Sequence, residues 1–240
     1  TLLQVLRRDW FYFVPIAVLV WGVLKLDRPV FAGAIACLAL IPMGLLRNRS
    51  PRAFVASVVA GLNNGMGQLV GVGIACAVAG LVVGTLSMAD LTGKISSGMF
   101  TLAGGSYALT LLVATVVIIL LGMGMPTPAV YALAAVLAAP ALLALKIELL
   151  PAHLFIVYFA SMSAITPPVA VAAFAAASIA RANPIAVAFV ACRVGIVAFV
   201  LPLVFVNQPG LLLMGDAATV VTTIGFVLMG AMCLVIAFEG

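Results

Sequence analysis

Charged side chains punctuate this chain at long intervals, and the uncharged stretches between them predict its elements. Residues 10–24 are apolar and end at Lys25-Leu26-Asp27-Arg28, and a second apolar run, 29–46, ends at Arg47, Arg49 and Arg52. From Ala53 to Ala89 there are 37 uncharged residues. Their first part mixes Phe54, Val55, Val58, Val59 and Leu62 with Ser57, Asn63 and Asn64, which suits an interfacial helix. A full span is expected at about 66–87, because roughly 20 apolar residues cross the hydrocarbon of a bilayer. Ile95 to Leu145 adds 51 residues without a charge, too long for one crossing at ~1.5 Å per residue. The fold-back is written as Leu121-Gly122-Met123-Gly124-Met125-Pro126-Thr127-Pro128, since two glycines and two prolines so close together interrupt a helix. A helical hairpin with arms near 106–121 and 128–144 follows.

Leu149 to Ala180 is a further uncharged interval of 32 residues, interrupted by Thr166-Pro167-Pro168. It predicts two half-helices, 151–164 and 167–180, that together make one broken span. The stretch 184–192 reads as an interfacial lead-in ending at Arg193, and 194–215 and 217–238 each supply a crossing. The glycines 93, 98, 104 and 105 around Ser96-Ser97 suggest a short irregular connector. By role, the chain divides into three parts. Residues 1–64 carry two transmembrane helices and the interfacial helix. Residues 65–183 form a transport-type region with the hairpin (106–144) and the broken helix (151–180). Residues 184–240 hold the lead-in and two C-terminal transmembrane helices.

Composition fixes the solvent. Of the 240 residues 66% are hydrophobic and 7% charged, with a mean hydropathy of +1.39. A soluble domain carries roughly a quarter charged residues, and no water-soluble core hides this much apolar surface. A soluble enzyme, a nucleic-acid binder and a disulfide scaffold are therefore excluded, and an all-α integral membrane protein is expected. Eleven Lys and Arg against six Asp and Glu sit at the ends of apolar runs, as loop anchors. With the N-terminus placed in the cytoplasm, crossing parity puts seven basic residues inside: Arg7, Arg8, Arg47, Arg49, Arg52, Arg181 and Arg193. Asp9 and Glu239 join them. Lys25, Arg28, Lys94 and Lys146 fall outside with Asp27, Asp90, Glu148 and Asp216, the direction of the positive-inside rule. Cys37, Cys76, Cys192 and Cys233 read as separate small buried residues. The chain begins with Thr1 and is expected to be a piece of a longer protein.

The two breaks carry the candidate chemistry. Irregular backbone at membrane depth must be buried in protein or line a polar cavity, because lipid cannot satisfy freed N–H and C=O groups. Thr127 before Pro128 and Thr166 before Pro167 each read as an N-cap with Pro in the first helical position. The helix N-termini that follow favour an anion, and the carbonyls ending the preceding halves, around 121–124 and 162–165, suit a desolvated cation. Gly122, Gly124, Pro126, Thr127, Ser163, Ile165, Thr166, Pro167 and Pro168 are thus the candidate substrate and ion residues. Na⁺ would take oxygens of Gly122, Thr127, Ser163 and Thr166, H⁺ being the alternative coupling ion. The single His153 reads as an interfacial residue with a proton-relay role as the alternative, and Tyr107, Tyr131 and Tyr158 as packing or interfacial residues. Arg193 anchors the span that follows it. No acidic residue lies deep in a span, and no nucleophile triad, paired carboxylate or metal cluster is legible, so catalysis is not expected.

Several motifs resemble the large membrane subunit of tripartite ATP-independent periplasmic (TRAP) transporters. Gly122-Met123-Gly124-Met125-Pro126-Thr127, an Ala-rich helix and Ala139-Pro140-Ala141-Leu142 are similar to its second re-entrant hairpin. The run from Ala152 to Ala160, leading into Ile165-Thr166-Pro167-Pro168-Val169-Ala170, is similar to its second broken helix. Val70 to Gly84 and Phe205 to Leu213 look like the TAXI-type, often fused permease, and the likeness runs from about 65 to 213. The resemblance implies one half of an inverted-repeat, elevator-type secondary transporter in a bacterial or archaeal cytoplasmic (inner) membrane. It implies import of small organic acids by ion-gradient coupling, with a periplasmic substrate-binding protein as partner. The small membrane subunit and the first repeat are expected to lie outside this chain. The same broken helices would also suit a channel, another inverted-repeat transporter or a non-transporting membrane assembly subunit.

Overall fold

The structure, a computed structural model, describes residues 13–26, 29–47 and 50–239. Its elements are helical, with no strand among the described residues. Of the charges used for parity, Arg7, Arg8, Asp9, Asp27, Arg28 and Arg49 lie outside the described residues, as do the first three positions of the 10–24 run. The chain divides into two compact units, Thr1–Leu69 and Val70–Gly240.

In the first unit α1 (Phe13–Leu26) and α2 (Pro29–Arg47) pack on each other. Buried Pro15 and Gly22 of α1 lie two turns apart, and buried Ala32 and Ala36 of α2 one turn apart, so each helix offers small residues along one stripe. Small interface residues let helix backbones approach where no hydrophobic effect drives them together. Helix α3 (Pro51–Met88) starts here and is continuous for 38 residues. The expected division into an interfacial helix and a span from about 66 is therefore not observed. Asn63 and Asn64 stay within the helix, where their backbone bonds follow the helical ladder. At ~1.5 Å per residue α3 is about 57 Å long, more than the hydrocarbon needs.

The second unit continues with α4 (Leu91–Leu102), α5 (Tyr107–Gly122), α6 (Thr127–Ala144) and α7 (Leu149–Met162), the last running into a 3₁₀ turn at Ser163–Ile165. After a non-helical stretch come α8 (Val171–Ala180), α9 (Pro184–Val194), α10 (Ile196–Asn207), a 3₁₀ turn at Pro209–Leu212 and α11 (Ala217–Glu239). The helices α3, α6 and α11 are each long and apolar enough to cross a membrane. Half of α6 is buried, against 6% of the most apolar window of α11. Helix α6 therefore sits inside the unit, and α11 presents its apolar residues to lipid or to other protein.

The hairpin arms fall where glycine and proline predicted them, and they form the core with α7 and α10. Phe155, Ile156, Phe159, Ile118, Val130 and Leu142 are fully buried. Phe155 and Phe159 meet edge to face at 4.8 Å, a favoured aromatic geometry. Alanines 129, 134, 138 and 141 let α6 nest among its neighbours. The Gly-rich stretch before the hairpin is α4 rather than an irregular connector. Gly93 and Gly98 are helical, and only Gly104 (φ +57°) and Gly105 (φ +72°) make a turn. Buried Ser96 ties α4 to α6 by donating to the Leu137 carbonyl at 2.7 Å.

Three further boundaries differ from the sequence reading. The second half of the broken helix starts at Val171 instead of 167. The 184–192 lead-in is α9, bent by 116° from α8 at a break where Arg181 is left-handed (φ +52°). The crossing expected at 194–215 is α10, which follows α9 across Gly195 and stops at Asn207. The cysteines are not buried, since Cys37 and Cys233 are exposed and Cys76 and Cys192 half-exposed, all free. A membrane helix with one packed face leaves small residues elsewhere facing outward. Arg193 Nε donates to the Phe238 carbonyl at 2.7 Å and pairs with Glu239 at 3.2 Å, so these ends of α9 and α11 lie together, as parity required.

Two caps set the later helices. The Asn183 side chain accepts from the N–H groups of Ile185 (3.0 Å) and Ala186 (3.2 Å), with Pro184 in the first turn. Asp216 accepts from the Thr219 N–H at 3.3 Å and from its hydroxyl. The hydroxyl holds the Asp216 carboxyl below its usual range, so this cap is formed at neutral pH and is lost as pH falls through the lowered value. Asn183→Ala is expected to cost about 1 kcal/mol and Asn183→Gly a few tenths, read as thermal unfolding midpoints in detergent. Equal midpoints for wild type and Asn183→Ala would remove the cap from the account.

Candidate functional site

Two interruptions meet in the second unit, the hairpin turn between α5 and α6 and the break between α7 and α8. Helix α5 ends at Gly122, Met123 is extended, Gly124 takes a left-handed φ of +77°, and Pro126 is extended again before α6 begins. On the facing side the 3₁₀ turn Ser163–Ile165 gives way to an extended Thr166 and the cis-linked Pro167-Pro168. Buried Ser163 joins the two. Its hydroxyl lies 3.1 Å from the Gly122 carbonyl and 2.7 Å from that of Ala160, with one proton to serve both. A Cβ on Gly122 would overlap the Ser163 Oγ and lie 2.5 Å from its Cβ, so only glycine permits the approach. One on Gly124 would touch Val169 Cγ1 at 3.4 Å, which places the hairpin tip against the far side of the break as well.

The expected Thr N-caps are not formed. Thr127 is the first residue of α6, whose N-cap is Pro126, and no side-chain cap bond is present. Thr166 precedes the start of α8 by five residues. Its hydroxyl turns back to donate to the Met162 carbonyl at 2.8 Å, and α8 is flanked by Ala170, also without a side-chain cap. The reason lies in the chain after Thr166, where the double proline makes a turn and delays the helix until Val171. The Asn183-Pro184 pair fulfils the capping pattern assigned to the two threonines. Pro167 is half-buried and Pro168 exposed.

The two helix starts differ as anion sites. At α6, Pro126 and Pro128 have no N–H, and Ala129 and Val130 donate to the Pro126 carbonyl at 3.0 and 3.2 Å. Only the Thr127 N–H remains. At α8 the first helical bond runs from Phe174 to Ala170 (2.8 Å), leaving the N–H groups of Val171, Ala172 and Ala173 without backbone acceptors among the described residues. The positive end of a helix dipole is thus available at α8.

Oxygens gather on the other side of the same junction. Among the described residues, no backbone N–H donates to the carbonyls of Leu121, Met123, Gly124, Ala164 or Pro167. The Ile165 carbonyl receives only the Cys192 thiol, at 3.4 Å. The hydroxyls of Ser163 and Thr166 spend their protons on carbonyls and keep their lone pairs, and the half-buried Thr127 hydroxyl has no hydrogen bond. Among the candidate residues the structure joins Gly122 to Ser163 and sets Gly124 beside Val169, while Ile165 and Thr166 follow Ser163 in the chain with their bonds to Cys192 and Met162. It shows no hydrogen bond joining Thr127 to Thr166. His153 stands apart from the junction, its Nδ1 bonded to the Tyr131 hydroxyl at 2.9 Å between α7 and α6. Val169 and Cys192 were missed by the sequence reading, because neither an apolar side chain nor a lone cysteine marks a contact.

The Gly122–Ser163 contact predicts strong coupling. Gly122→Ala should lower the thermal midpoint, at about 1–3 kcal/mol for overpacking, and Ser163→Gly should also destabilise. The double variant should be more stable than the sum of the two losses by at least about 1 kcal/mol, because removing the serine side chain vacates the space that the new methyl group needs. Additive losses would show that the two elements do not touch there.

Residues 1–220 match the family described as "Tripartite ATP-independent periplasmic transporter, DctM component". No curated protein and no solved structure matches the chain. The family match spans most of the sequence and agrees with the all-helical, multi-pass architecture and its apolar spans, and the chain belongs to the DctM membrane-component family of TRAP transporters.

Proposed function

We propose that this chain is the permease component of a secondary importer of small organic acids, coupled to an ion gradient and supplied by a periplasmic binding protein. The observation that carries the reading is the Gly122–Ser163 junction, where a hairpin tip is locked to a broken helix. Free carbonyls and hydroxyl oxygens there suit a desolvated cation, and three free N–H groups at the start of α8 suit a carboxylate. Such a pairing lets each ion lower the cost of bringing the other out of water. Na⁺ is the coupling ion this donor set fits, since it offers neutral oxygens and no deep carboxylate for a proton. Of the expected ligands, Gly122 and Ser163 meet directly, and Thr127 and Thr166 are proposed to add their hydroxyl oxygens from the two breaks. An inverted counterpart in the assembled transporter would supply the other half of the site, together with the small membrane subunit. The TAXI-type subtype, placement in the cytoplasmic membrane and the absence of enzymatic activity belong to the same reading.

The orientation follows parity. A cysteine at Ala182 should react with impermeant thiol reagents only from the cytoplasmic side and one at Gln208 only from outside. The reverse labelling would invert the hairpin.

Thr166 tests the ion. In the assembled transporter, Thr166→Val keeps the shape and removes an oxygen, so it should raise the Na⁺ concentration for half-maximal uptake by about tenfold, the equivalent of about 1.4 kcal/mol. Thr166→Ser should stay near wild type. Uptake that ignores Na⁺ and follows the pH gradient would sink the sodium assignment and return attention to His153.

A further inference from the structure

The hairpin's two bases, the start of α7 and the end of α10 meet at the end of the second unit opposite the hairpin tip. Between them lies a cavity of about 460 Å³ whose lining includes Tyr107, Lys146, Glu148, Pro151 and Asn207. It carries one cation and one anion, both exposed, and among the described residues neither is in an ion pair. The amide nitrogen of Asn207 is committed to the Leu203 carbonyl at 2.7 Å, so its oxygen remains as an acceptor. The N–H groups of Leu149 and Leu150, at the positive end of α7, also lack acceptors among the described residues.

A second cavity, also about 460 Å³, shares Tyr107 and Asn207 with the first. Its other walls are Leu109, Leu111, Leu112 and Leu203 with Ala108, along α5 and α10. Leu109 and Leu112 are half-exposed, at 50% and 55%. A charged chamber therefore adjoins an apolar groove that runs along α5 and α10.

Lys146 occupies its position against backbone preference. Helix α6 ends in a Schellman motif, with Lys146 N–H donating to Leu143 (2.9 Å) and Ile147 N–H to Leu142 (3.4 Å), and Lys146 takes a left-handed φ of +62°. Glycine is the favoured residue there, and a side chain strains the backbone. Closing the helix does not require the lysine, and the cavity gives its ammonium a use.

We propose that these two cavities hold one phospholipid bearing a primary ammonium, such as phosphatidylethanolamine. Its phosphate lies against Lys146 and the α7 N-terminus, its ammonium on Glu148 and the Asn207 oxygen, and an acyl chain in the leucine groove. The paired charges select this headgroup. An anionic headgroup without an ammonium leaves Glu148 repelling it, and a quaternary ammonium has no N–H to donate. The site is distinct from the Gly122–Ser163 junction and does not depend on what is transported.

The test uses the assembled transporter, delipidated in detergent and titrated separately with phosphatidylethanolamine, phosphatidylcholine and phosphatidylglycerol while native mass spectrometry counts retained lipid. Phosphatidylethanolamine should be retained best. Lys146→Gly should weaken its retention by about tenfold while the thermal midpoint of the delipidated protein stays level or rises, which separates lost contact from misfolding. Glu148→Gln should erase the preference over phosphatidylglycerol, and Leu112→Trp should block retention by filling the groove. Wild-type retention by Lys146→Gly, or equal retention of all three lipids, would overturn the site. So would a cysteine at Leu112 that cross-links to another polypeptide segment, since the groove would then be covered by protein.

Discussion

The contact on which the second unit depends is the approach of the Gly122 backbone to the Ser163 side chain. Two chain breaks with unsatisfied backbone would each be costly in lipid. Brought together, they share the Ser163 hydroxyl, which reaches the carbonyls of both Gly122 and Ala160. Glycine at 122 is required because any Cβ would occupy the space of the serine. The short turn that follows depends on Gly124, whose left-handed backbone redirects the chain into α6. The surrounding core of Phe155, Phe159, Ile118 and Val130 fixes the helices from which both breaks emerge.

The same junction separates the roles of two helix starts that look alike in sequence. Prolines 126 and 128 remove N–H groups from the start of α6, and the Pro126 carbonyl consumes the next two. The longer non-helical stretch before α8, from Thr166 to Ala170, leaves three N–H groups there without backbone acceptors among the described residues.

At the other end of the unit, polar chemistry gathers where helix ends meet. Tyr107, the stretch from Lys146 to Pro151 and Asn207 come from three separate parts of the sequence and frame one chamber beside an apolar groove. The Arg193–Glu239 pair plays a simpler part, holding the ends of α9 and α11 at one level. As an exposed ion pair its contribution to stability is small. Its value is as a marker of which ends lie together.

The sequence by itself determined the all-helical membrane class, the hairpin with arms close to 107–122 and 127–144, the first half-helix and the last helix. These were legible because charge is costly in hydrocarbon and because Gly-x-Gly-x-Pro interrupts a helix whatever surrounds it. Gly122 and Ser163 were legible as residues at the two breaks, but their contact was not. Nor were hydrogen-bond partners. Whether Thr166 caps α8 or turns back to Met162 depends on competing bonds of similar strength that the local packing decides. The cavity at Lys146 was equally hidden, because it is assembled from four helix ends and no local pattern records their meeting. Local chemistry sets where this chain must break, and tertiary packing sets what each break touches.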